Sequence, residues 1–278
     1  MDKILLQALQ SGDKDKILQA LKANIPSKLY KFVWLDGSDN DKRKFKSLED
    51  KNLWLSKITE FNDPFEFKGI VVNKAKFQEY GFPEEAIKKY ERSIDYSNKC
   101  GVCCLSHTSL EYLPMWAYYT NTHRGFCIEY DVIDTKFINK VIYEQNRTSV
   151  CSALLQLAKE LKILFSDDPA KEMQKFDIKK TNTLGYLFLM NLFIKSDNWM
   201  HEKEYRIVYP LDFSDGKKGE NISIKKLGLK MSRIIAGYKC KDNDLEKLED
   251  ISRKLTDDGI YQLVLSDTDF AVIEKKYK

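Results

Sequence analysis

Apolar residues near the start of the chain recur at helical spacing. The same four-residue sequence occurs twice, as Leu6-Gln7-Ala8-Leu9 and as Leu18-Gln19-Ala20-Leu21. The two copies are separated by the turn-like Ser11-Gly12-Asp13. Two short amphipathic helices joined by a tight turn fit this pattern best. Pro26 ends the second helix because a proline cannot continue it. The pattern predicts an N-terminal helical hairpin over residues 1–26, which either docks a partner or caps the edge of the following domain.

Beyond the hairpin, the pattern changes to runs of aromatic and branched residues, which favour strands. Predicted strands lie at residues 28–35, 53–56, 65–72, 102–106, 126–132, 140–143, 204–209, 222–225, 233–236, 261–266 and 270–274. Predicted helices lie at residues 45–51, from Pro83 onward, at 110–119 and at 243–255, and residues 36–44 are predicted to form a loop.

Helical spacing also returns in the middle of the chain. It runs from about residue 147 to 165 and again from 170 to 194, which predicts a helical insertion at about 147–195 that covers a sheet. Strand runs and helix runs are segregated along the chain, so we predict an α+β fold with mixed or antiparallel central sheets and helical cover. The main domain is expected to occupy residues 27–278.

Composition narrows the class of protein. With 43% apolar residues, 12% aromatic residues and only 6 Pro and 12 Gly in 278 residues, the chain can bury a full core, which excludes collagen-like and low-complexity proteins. Charge is nearly balanced, with 46 Lys and Arg against 42 Asp and Glu, so the net charge of +4 does not by itself indicate nucleic-acid binding.

No membrane span or secretory framework is expected. The longest apolar stretch, Leu184 to Ile194, is much shorter than the ~20 residues that a membrane span needs. The N-terminus lacks the apolar core of a signal peptide, so we expect a cytoplasmic protein. The six cysteines are then expected to be reduced thiols.

Familiar catalytic motifs are absent from the sequence. There is no phosphate-binding loop, no dinucleotide glycine fingerprint, no nucleophile elbow and no zincin helix motif. Cys100-x-x-Cys103-Cys104 has the spacing of half a zinc site, but a second cysteine pair is missing and the chain has only 3 His. We therefore expect no metal and predict that Cys103 and Cys104 pack in a strand as small apolar side chains.

The most informative segment runs from Trp199 to Tyr209. On a strand, Glu202, Glu204 and Arg206 share one face, about 7 Å apart for successive members of the face. Two such carboxylates suit a site in which one holds a ribose hydroxyl or orients a nucleophile and the other stabilises positive charge at an anomeric carbon. The alternative is an exposed strand face on which a Glu204–Arg206 pair contributes little.

A second cluster leads from Met115 into the strand at 126–132. Trp116 and Tyr119 are able to stack on a nucleobase or nicotinamide, although core packing is the more common role of such residues. His123 and Arg124, in a turn at the mouth of a strand, are placed to meet phosphate. Asn62-Asp63-Pro64 is typical of a capped turn.

Several short segments of the sequence together resemble those of a known bacterial family. They are Leu29-Tyr30-Lys31-Phe32, Leu53-Trp54-Leu55-Ser56, Phe61-Asn62-Asp63-Pro64-Phe65-Glu66, Cys104-Leu105-Ser106, Met115-Trp116-Ala117-Tyr118-Tyr119, His123-Arg124-Gly125-Phe126-Cys127-Ile128-Glu129-Tyr130, Lys195, Trp199, Glu202, Glu204, Tyr205 and Arg206. Their order and spacing are similar to those of the DUF2971 family over residues 29 to 240 or so. As a domain of unknown function, the family supplies no chemistry.

A more distant resemblance does imply a chemistry. A late strand with E-x-E in an α+β chain is similar to ADP-ribosyltransferases, including those of toxin and anti-phage defence systems, which use NAD as a substrate and need no metal. The resemblance implies that Glu204 is the catalytic glutamate, that Glu202 orients the acceptor, and that Tyr30, Lys31 and Ser56 line the NAD site. The first strand has neither Arg nor His, and a Ser-Thr-Ser strand is missing.

The combined hypothesis is an NAD-using transferase or NAD-cleaving enzyme that acts on an unidentified protein or nucleic acid. The expected cofactor-binding residues are Tyr30, Lys31, Ser56, Asn62, Trp116, Tyr119, His123 and Arg124. The rival hypothesis is a non-catalytic module that senses a protein, nucleotide or nucleic acid and uses Glu202, Glu204 and Arg206 as a structural ion network. A third, metal-dependent nuclease chemistry through Asp63, Glu66 and Glu129, lacks the usual strand spacing.

Overall fold

A ten-stranded, mostly antiparallel sheet forms the centre of the molecule. The computed structural model describes residues 3–69, 73–79, 81–93, 95–96, 98–108, 110–147, 186, 189–256 and 259–278. The strands are β1 (Lys28–Val33), β2 (Asn52–Lys57), β3 (Cys100–Ser106), β4 (Phe126–Val132), β5 (Ile138–Lys140), β6 (Ile142–Glu144), β7 (Ile194–Ser196), β8 (Glu204–Pro210), β9 (Gly219–Ser223), β10 (Leu229–Ala236), β11 (Tyr261–Leu265) and β12 (Val272–Lys276). The main sheet has the order β12-β11-β10-β4-β1-β3-β2-β9, with β8 added to β3 and β5 added to β8, while β6 and β7 form a separate parallel pair.

Helices cover both faces of this sheet. They are α1 (Lys3–Ser11), α2 (Lys14–Lys22), α3 (Asp39–Glu49), α4 (Lys74–Glu79), α5 (Glu84–Ser93), α6 (Leu113–Tyr119) and α7 (Asp242–Thr256). Alternate residues of β4 show the two faces: Phe126 and Ile128 pack in the core that α3 and α7 complete, whereas Cys127 packs under Trp116 of α6. The alternation follows from the two-residue period of a strand.

The sheet opens at β3. One edge of β3 pairs with β8 along its whole length, from Cys100 to Ser106. The other edge is shared, because β1 meets β3 only at Ser106 and β2 meets it only at Gly101 and Val102. Between these contacts β1 and β2 diverge, and an opening remains beside the middle of β3. In that opening the carbonyl of Cys104 accepts a hydrogen bond from Lys31 Nζ at 3.1 Å.

The two N-terminal helices lie where the sequence pattern predicts a hairpin. Asp13 caps α2 by accepting hydrogen bonds from the backbone N–H groups of Asp15 and Lys16. The apolar side of the helices packs against Met190 and Ile194, next to β7.

The α+β prediction is confirmed at the level of class, and most predicted strands and helices are present within a few residues. Residues 39–44, predicted as a loop, instead begin α3, because the Asp41 carboxylate accepts the N–H groups of Asp36 and Gly37 and fixes the helix start. Residues 64–67 form a turn rather than a strand, since Asp63 Oδ1 accepts the N–H of Phe65.

The predicted helical insertion at 147–195 falls largely outside the described residues, which omit 148–185, 187 and 188. Its described end is not helical in the way predicted: residues Met190–Leu192 form one 3-10 turn, and the chain then enters β7. Among the described parts of the chain, no helix combines the length and apolar character required to cross a bilayer.

Candidate active site

A cavity of about 870 Å³ occupies the opening between β1 and β2. We call it the split cleft. Its walls come from β1, α3, β2, β9 and the loop after β2, and its floor from β3, α6, β7, the turn at 64–67 and the segment that enters β8. The floor side chains are Glu66, Cys104, Ser106, Tyr119, Lys195, Glu202 and Glu204, and the wall side chains include Lys31, Trp34, Arg43, Ser47, Asn52, Trp54, Ser56, Asn62 and Asn221.

A single ammonium group holds the acidic residues of the floor together. Lys195 Nζ lies 2.7 Å from Glu202 Oε2, 2.7 Å from Glu204 Oε2 and 3.6 Å from Glu66 Oε2. All four side chains are buried. The Lys195 ammonium also lies 5.2 Å from the centre of the Trp199 ring, which adds a cation–π contact.

Arg206 completes this floor network and is fully buried, with 0% exposure. Its Nε donates to Glu204 Oε1 at 2.6 Å, one terminal nitrogen donates to the Leu192 carbonyl at 2.6 Å, and the other pairs with Glu66. The network of Glu66, Lys195, Glu202, Glu204 and Arg206 therefore sets three carboxyl groups against two cations. The resulting surplus of one negative charge is balanced by a proton on one carboxyl or by a positive charge on a bound ligand.

Glu202 is the carboxyl best placed to take that proton. Burial raises its pKa above the usual range, although Lys195 and the Tyr119 hydroxyl oppose the shift. The Tyr119 hydroxyl donates to Glu202 Oε1 while Lys195 holds the other oxygen. Burial and the Glu202 carboxylate also raise the pKa of Tyr119, so this hydroxyl stays protonated as a donor.

Glu204 behaves in the opposite way. Burial alone would raise its pKa, but the charges of Arg206 and Lys195 outweigh burial and lower the pKa to about 2. The pKa values of two neighbouring carboxyls are thus displaced in opposite directions, which disposes Glu202 to exchange a proton and keeps Glu204 ionised down to low pH. Such divergence is a common mark of acid–base sites.

The two glutamates do not share a strand face as predicted. Strand β8 begins at Glu204, and Glu202 lies in the preceding 3-10 helix Asp197–Glu202. Lys203 between them has a left-handed backbone with φ of 45°, which turns the chain so that both carboxylates reach Lys195. The alternative of an exposed Glu204–Arg206 pair is wrong, because both side chains are buried. The predicted inward direction of Tyr205 and Ile207 is correct.

Five of the eight predicted cofactor-binding residues line the split cleft. They are Tyr30, Lys31, Ser56, Asn62 and Tyr119. Strand β1 supplies the first two and β2 supplies Ser56, so these contacts follow directly from the sheet topology.

The other three lie away from the cleft. Trp116 is fully buried in the apolar core under α6, where its indole N–H donates to the Leu110 carbonyl at 2.7 Å. The turn that follows α6 carries His123 toward Tyr238, with 4.9 Å between ring centres. Arg124 borders a separate cavity of about 140 Å³.

Among the other members of the floor network, Arg206 is predicted in the rival hypothesis and Glu66 in the nuclease alternative, whereas no role is predicted for Lys195. Glu66 lies in a segment predicted as a capped turn, and Lys195 lies seven residues before Glu202, outside the predicted strand at 204–209. Arg206 offered a signal, since its position two residues after Glu204 places both on one face of β8. An arginine two residues after a glutamate on a strand indicates that the two side chains pair, but the local pattern does not show that the pair is buried.

A metal centre finds no support among the described residues, where no group of three or more His, Cys, Asp and Glu is arranged to hold an ion. Glu129 lies apart from the cleft and pairs with Lys28 and Arg233, while Glu66 pairs with Arg206. The carboxylates of the nuclease alternative are therefore not brought together. Cys103 and Cys104 both border the cleft from β3, and Cys103 is buried.

The polar floor coincides with a segment that matches a known family. Residues 115–207 match the family described as protein of unknown function, DUF2971. These residues are therefore similar to DUF2971 proteins, and we call them the DUF2971 segment. The match is shorter than the resemblance predicted over about 29–240. Searches of curated proteins and of solved structures returned no match.

The DUF2971 segment supplies most of the floor network. Tyr119, Lys195, Glu202, Glu204 and Arg206 all fall within residues 115–207. The cleft walls on β1, α3 and β2 precede the segment. The candidate site is thus assembled from the DUF2971 segment, which supplies most of the floor network, and from other parts of the chain, which supply the walls and the rest of the floor.

Proposed function

We propose that the split cleft binds NAD and that the protein cleaves the bond between nicotinamide and ribose, transferring ADP-ribose to an acceptor hydroxyl or to water. The observation that carries this proposal is the pair of carboxyls, Glu202 and Glu204, held on Lys195 with pKa values displaced in opposite directions. The proposal accords with the resemblance of the Glu202-x-Glu204 segment to ADP-ribosyltransferases.

The reaction needs stabilisation of positive charge and one proton acceptor. When the bond between the ribose C1′ and the nicotinamide nitrogen breaks, the bonding electrons leave with neutral nicotinamide and the ribose becomes cationic. Glu204, which stays ionised down to low pH, contributes the negative field that favours this cation. Glu202, in its ionised form, accepts the proton of the acceptor O–H as the new C1′–O bond forms. The surplus negative charge of the floor network favours this charge distribution.

The size and lining of the cleft support a dinucleotide ligand. Its volume of about 870 Å³ is within the range of small-molecule sites. Its lining contains six cationic side chains, Lys31, Lys42, Arg43, Lys44, Lys46 and Lys195, against three carboxyls. This balance suits a pyrophosphate. Trp34 and Trp54, both partly exposed, supply ring surfaces.

The test is incubation of the purified protein with NAD labelled in the adenylate half, with and without nucleic acid and lysate proteins. Free ADP-ribose, nicotinamide and labelled macromolecules are quantified for the wild type, Glu202→Gln and Glu204→Gln. Glu129→Gln is the matched control, because Glu129 is equally buried and ion-paired in the same sheet but does not line the cleft.

We expect the wild type and Glu129→Gln to release nicotinamide, and both cleft variants to lose at least tenfold in rate. Retention of label on a protein or nucleic acid would identify the acceptor class. Absence of nicotinamide release by the wild type under every condition would refute the enzymatic proposal. Equal losses in all three variants would assign the effect to stability instead.

A second candidate, a non-catalytic nucleotide sensor, is favoured by one observation. Both oxygens of Glu204 are already hydrogen-bonded, to Arg206 and to Lys195, and the side chain is 3% exposed. In this role the floor network only maintains the shape of the cleft. It predicts nucleotide binding without turnover, together with a marked loss of thermal stability in Glu204→Gln.

A further inference from the structure

The outer end of the split cleft contains an unusual aromatic surface. Trp54 of β2 alternates with the buried Leu53 and Leu55 and is 48% exposed. Its indole lies across Gly219 of the edge strand β9, so closely that a Cβ atom at position 219 would come within 2.5 Å of the ring atoms Cε2 and Cζ2. One ring face is therefore supported by the bare backbone of Gly219, and part of the ring remains open to the cleft.

Polar groups surround the open part of this ring. Asn221 is the cross-strand partner of Trp54 in the pairing of β2 with β9. Its Oδ1 accepts the Ser47 hydroxyl at 2.9 Å, which fixes the amide and leaves its NH₂ donors for another partner. Asn52, two residues before Trp54 on β2, and Arg43, one helical turn before Ser47 on α3, also line the cleft, and within the described chain no carboxylate pairs with Arg43.

This combination fits the base of a nucleotide. An indole supported on one side offers a flat stacking surface at low entropic cost, and stacking on aromatic side chains tolerates any nucleobase. Side-chain amides supply the donors and acceptors that base edges require, and an unpaired guanidinium suits a phosphate. An aromatic ring over an edge-strand glycine also has a purely structural use, in which it shields the backbone.

We propose that Trp54, supported by Gly219, is the base-stacking surface of the split cleft and binds the adenine of an adenine nucleotide, with Asn221 at the base edge and Arg43 at the phosphates. The inference deepens the proposed function and rests on it for the identity of the nucleotide as NAD. It does not depend on turnover, because stacking requires only the half of the ligand that does not react.

The test measures the Kd for ADP and for ribose 5-phosphate by calorimetry on the full-length wild type, Trp54→Leu and Trp54→Phe. We expect Trp54→Leu to raise the Kd for ADP by about 5- to 140-fold, the equivalent of 1–3 kcal/mol for one stacked base. Trp54→Phe should retain most of the affinity, and the Kd for ribose 5-phosphate, which has no base, should not change. Thermal unfolding of each variant verifies that it is folded.

Three results would overturn the inference: failure of the wild type to bind ADP, an unchanged Kd for ADP in Trp54→Leu, or an equal loss for both ligands. The last two would leave Trp54 with only its shielding role. NAD cleavage by the same variants separates the two proposals. If ADP binding depends on Trp54 but NAD is not cleaved, the stacking inference stands and the enzymatic proposal is refuted. If NAD is cleaved and Trp54→Leu leaves the KM for NAD unchanged, the enzymatic proposal stands and the stacking inference is refuted.

Discussion

Replacement of Arg206 by Met tests whether the floor network is an integrated buried ion cluster. The substitution keeps an unbranched apolar stem but removes the guanidinium that bonds Glu204, Glu66 and the Leu192 carbonyl. Three carboxyls then share the single ammonium of Lys195. Because Arg206 is 0% exposed, water cannot replace the lost partners without rearrangement.

The expected loss is large. Removal of one partner from a buried ion pair costs about 3–5 kcal/mol, and an unsatisfied buried carbonyl adds about 1–3 kcal/mol when it stays dry. Since the two contributions overlap, we expect the free energy of unfolding to fall by about 4–6 kcal/mol. For a protein of this size that corresponds to a decrease in Tm of roughly 10–20 °C.

The assay is urea unfolding followed by tryptophan fluorescence, with Arg253→Met as the matched control. Arg253 pairs with Glu249 on α7, but its side chain is 61% exposed, so its loss should cost less than about 1 kcal/mol. The deficit of Arg206→Met should also be smaller at pH 5 than at pH 7.5. Without the guanidinium, the folded-state pKa of Glu204 rises above its unfolded value, and protonation then favours the folded state. Equal losses for the two arginines, or a deficit that does not change with pH, would refute this account.

Three further results are expected. For acid stability, the pKa of Glu204 is about 2 when folded and near 4.5 when unfolded, so its ionic contribution is present above about pH 4.5 and is lost as the pH falls toward 2. The stability advantage of the wild type over Glu204→Gln in urea should therefore shrink over that interval, and a constant advantage would contradict the assignment. Tyr119→Phe removes a hydrogen bond that favours ionised Glu202, so the ascending limb of the pH–rate profile for NAD cleavage should move to higher pH; movement to lower pH would oppose the role of Glu202 as base. Lys22→Met removes donors to the Ile138 carbonyl at 2.6 Å and Asn139 Oδ1 at 2.8 Å, so amide hydrogen exchange in α1 and α2 should accelerate at least tenfold, whereas Lys16→Met, at an exposed position, should leave it unchanged.

Local patterns in the sequence were sufficient to predict the class of fold and most of its elements. Strand β4 was predictable because its residues pack in apolar cores on both faces, and β8 because Tyr205 and Ile207, which enter the core, alternate with polar residues. The start of α3 was not, because its stability comes from Asp41 binding the backbone of the preceding loop rather than from an apolar stripe. Nothing in a single strand indicates that β1 and β2 share one edge of β3.

The same distinction applies to the candidate site, where some residues were predictable from the sequence and others were revealed only by tertiary contacts. Glu202 and Glu204 were predicted as cleft residues from their chemistry and spacing, and Lys31 and Ser56 from the resemblance to ADP-ribosyltransferases; all four line the cleft. Trp116 was not separable from a binding residue, since an aromatic residue in a short helix serves a core equally well. Glu66 comes from a distant part of the chain and Lys195 from the separate strand β7, and only the tertiary structure brings them together with Glu202 and Glu204.

The N-terminal helices have a practical consequence for anyone who shortens this protein. They pack on Ile194, the neighbour of Lys195, and Lys22 bonds Asn139, whose strand partner across β5 and β8 is Arg206. The hairpin thus contacts the neighbours of Lys195 and Arg206, the two cations of the floor network, although none of its residues lines the cleft. A fragment reduced to residues 115–207 would lack these contacts as well as strands β1 and β2. If such a fragment were inactive, the result would reflect the loss of the cleft walls and would not show that DUF2971 proteins lack activity.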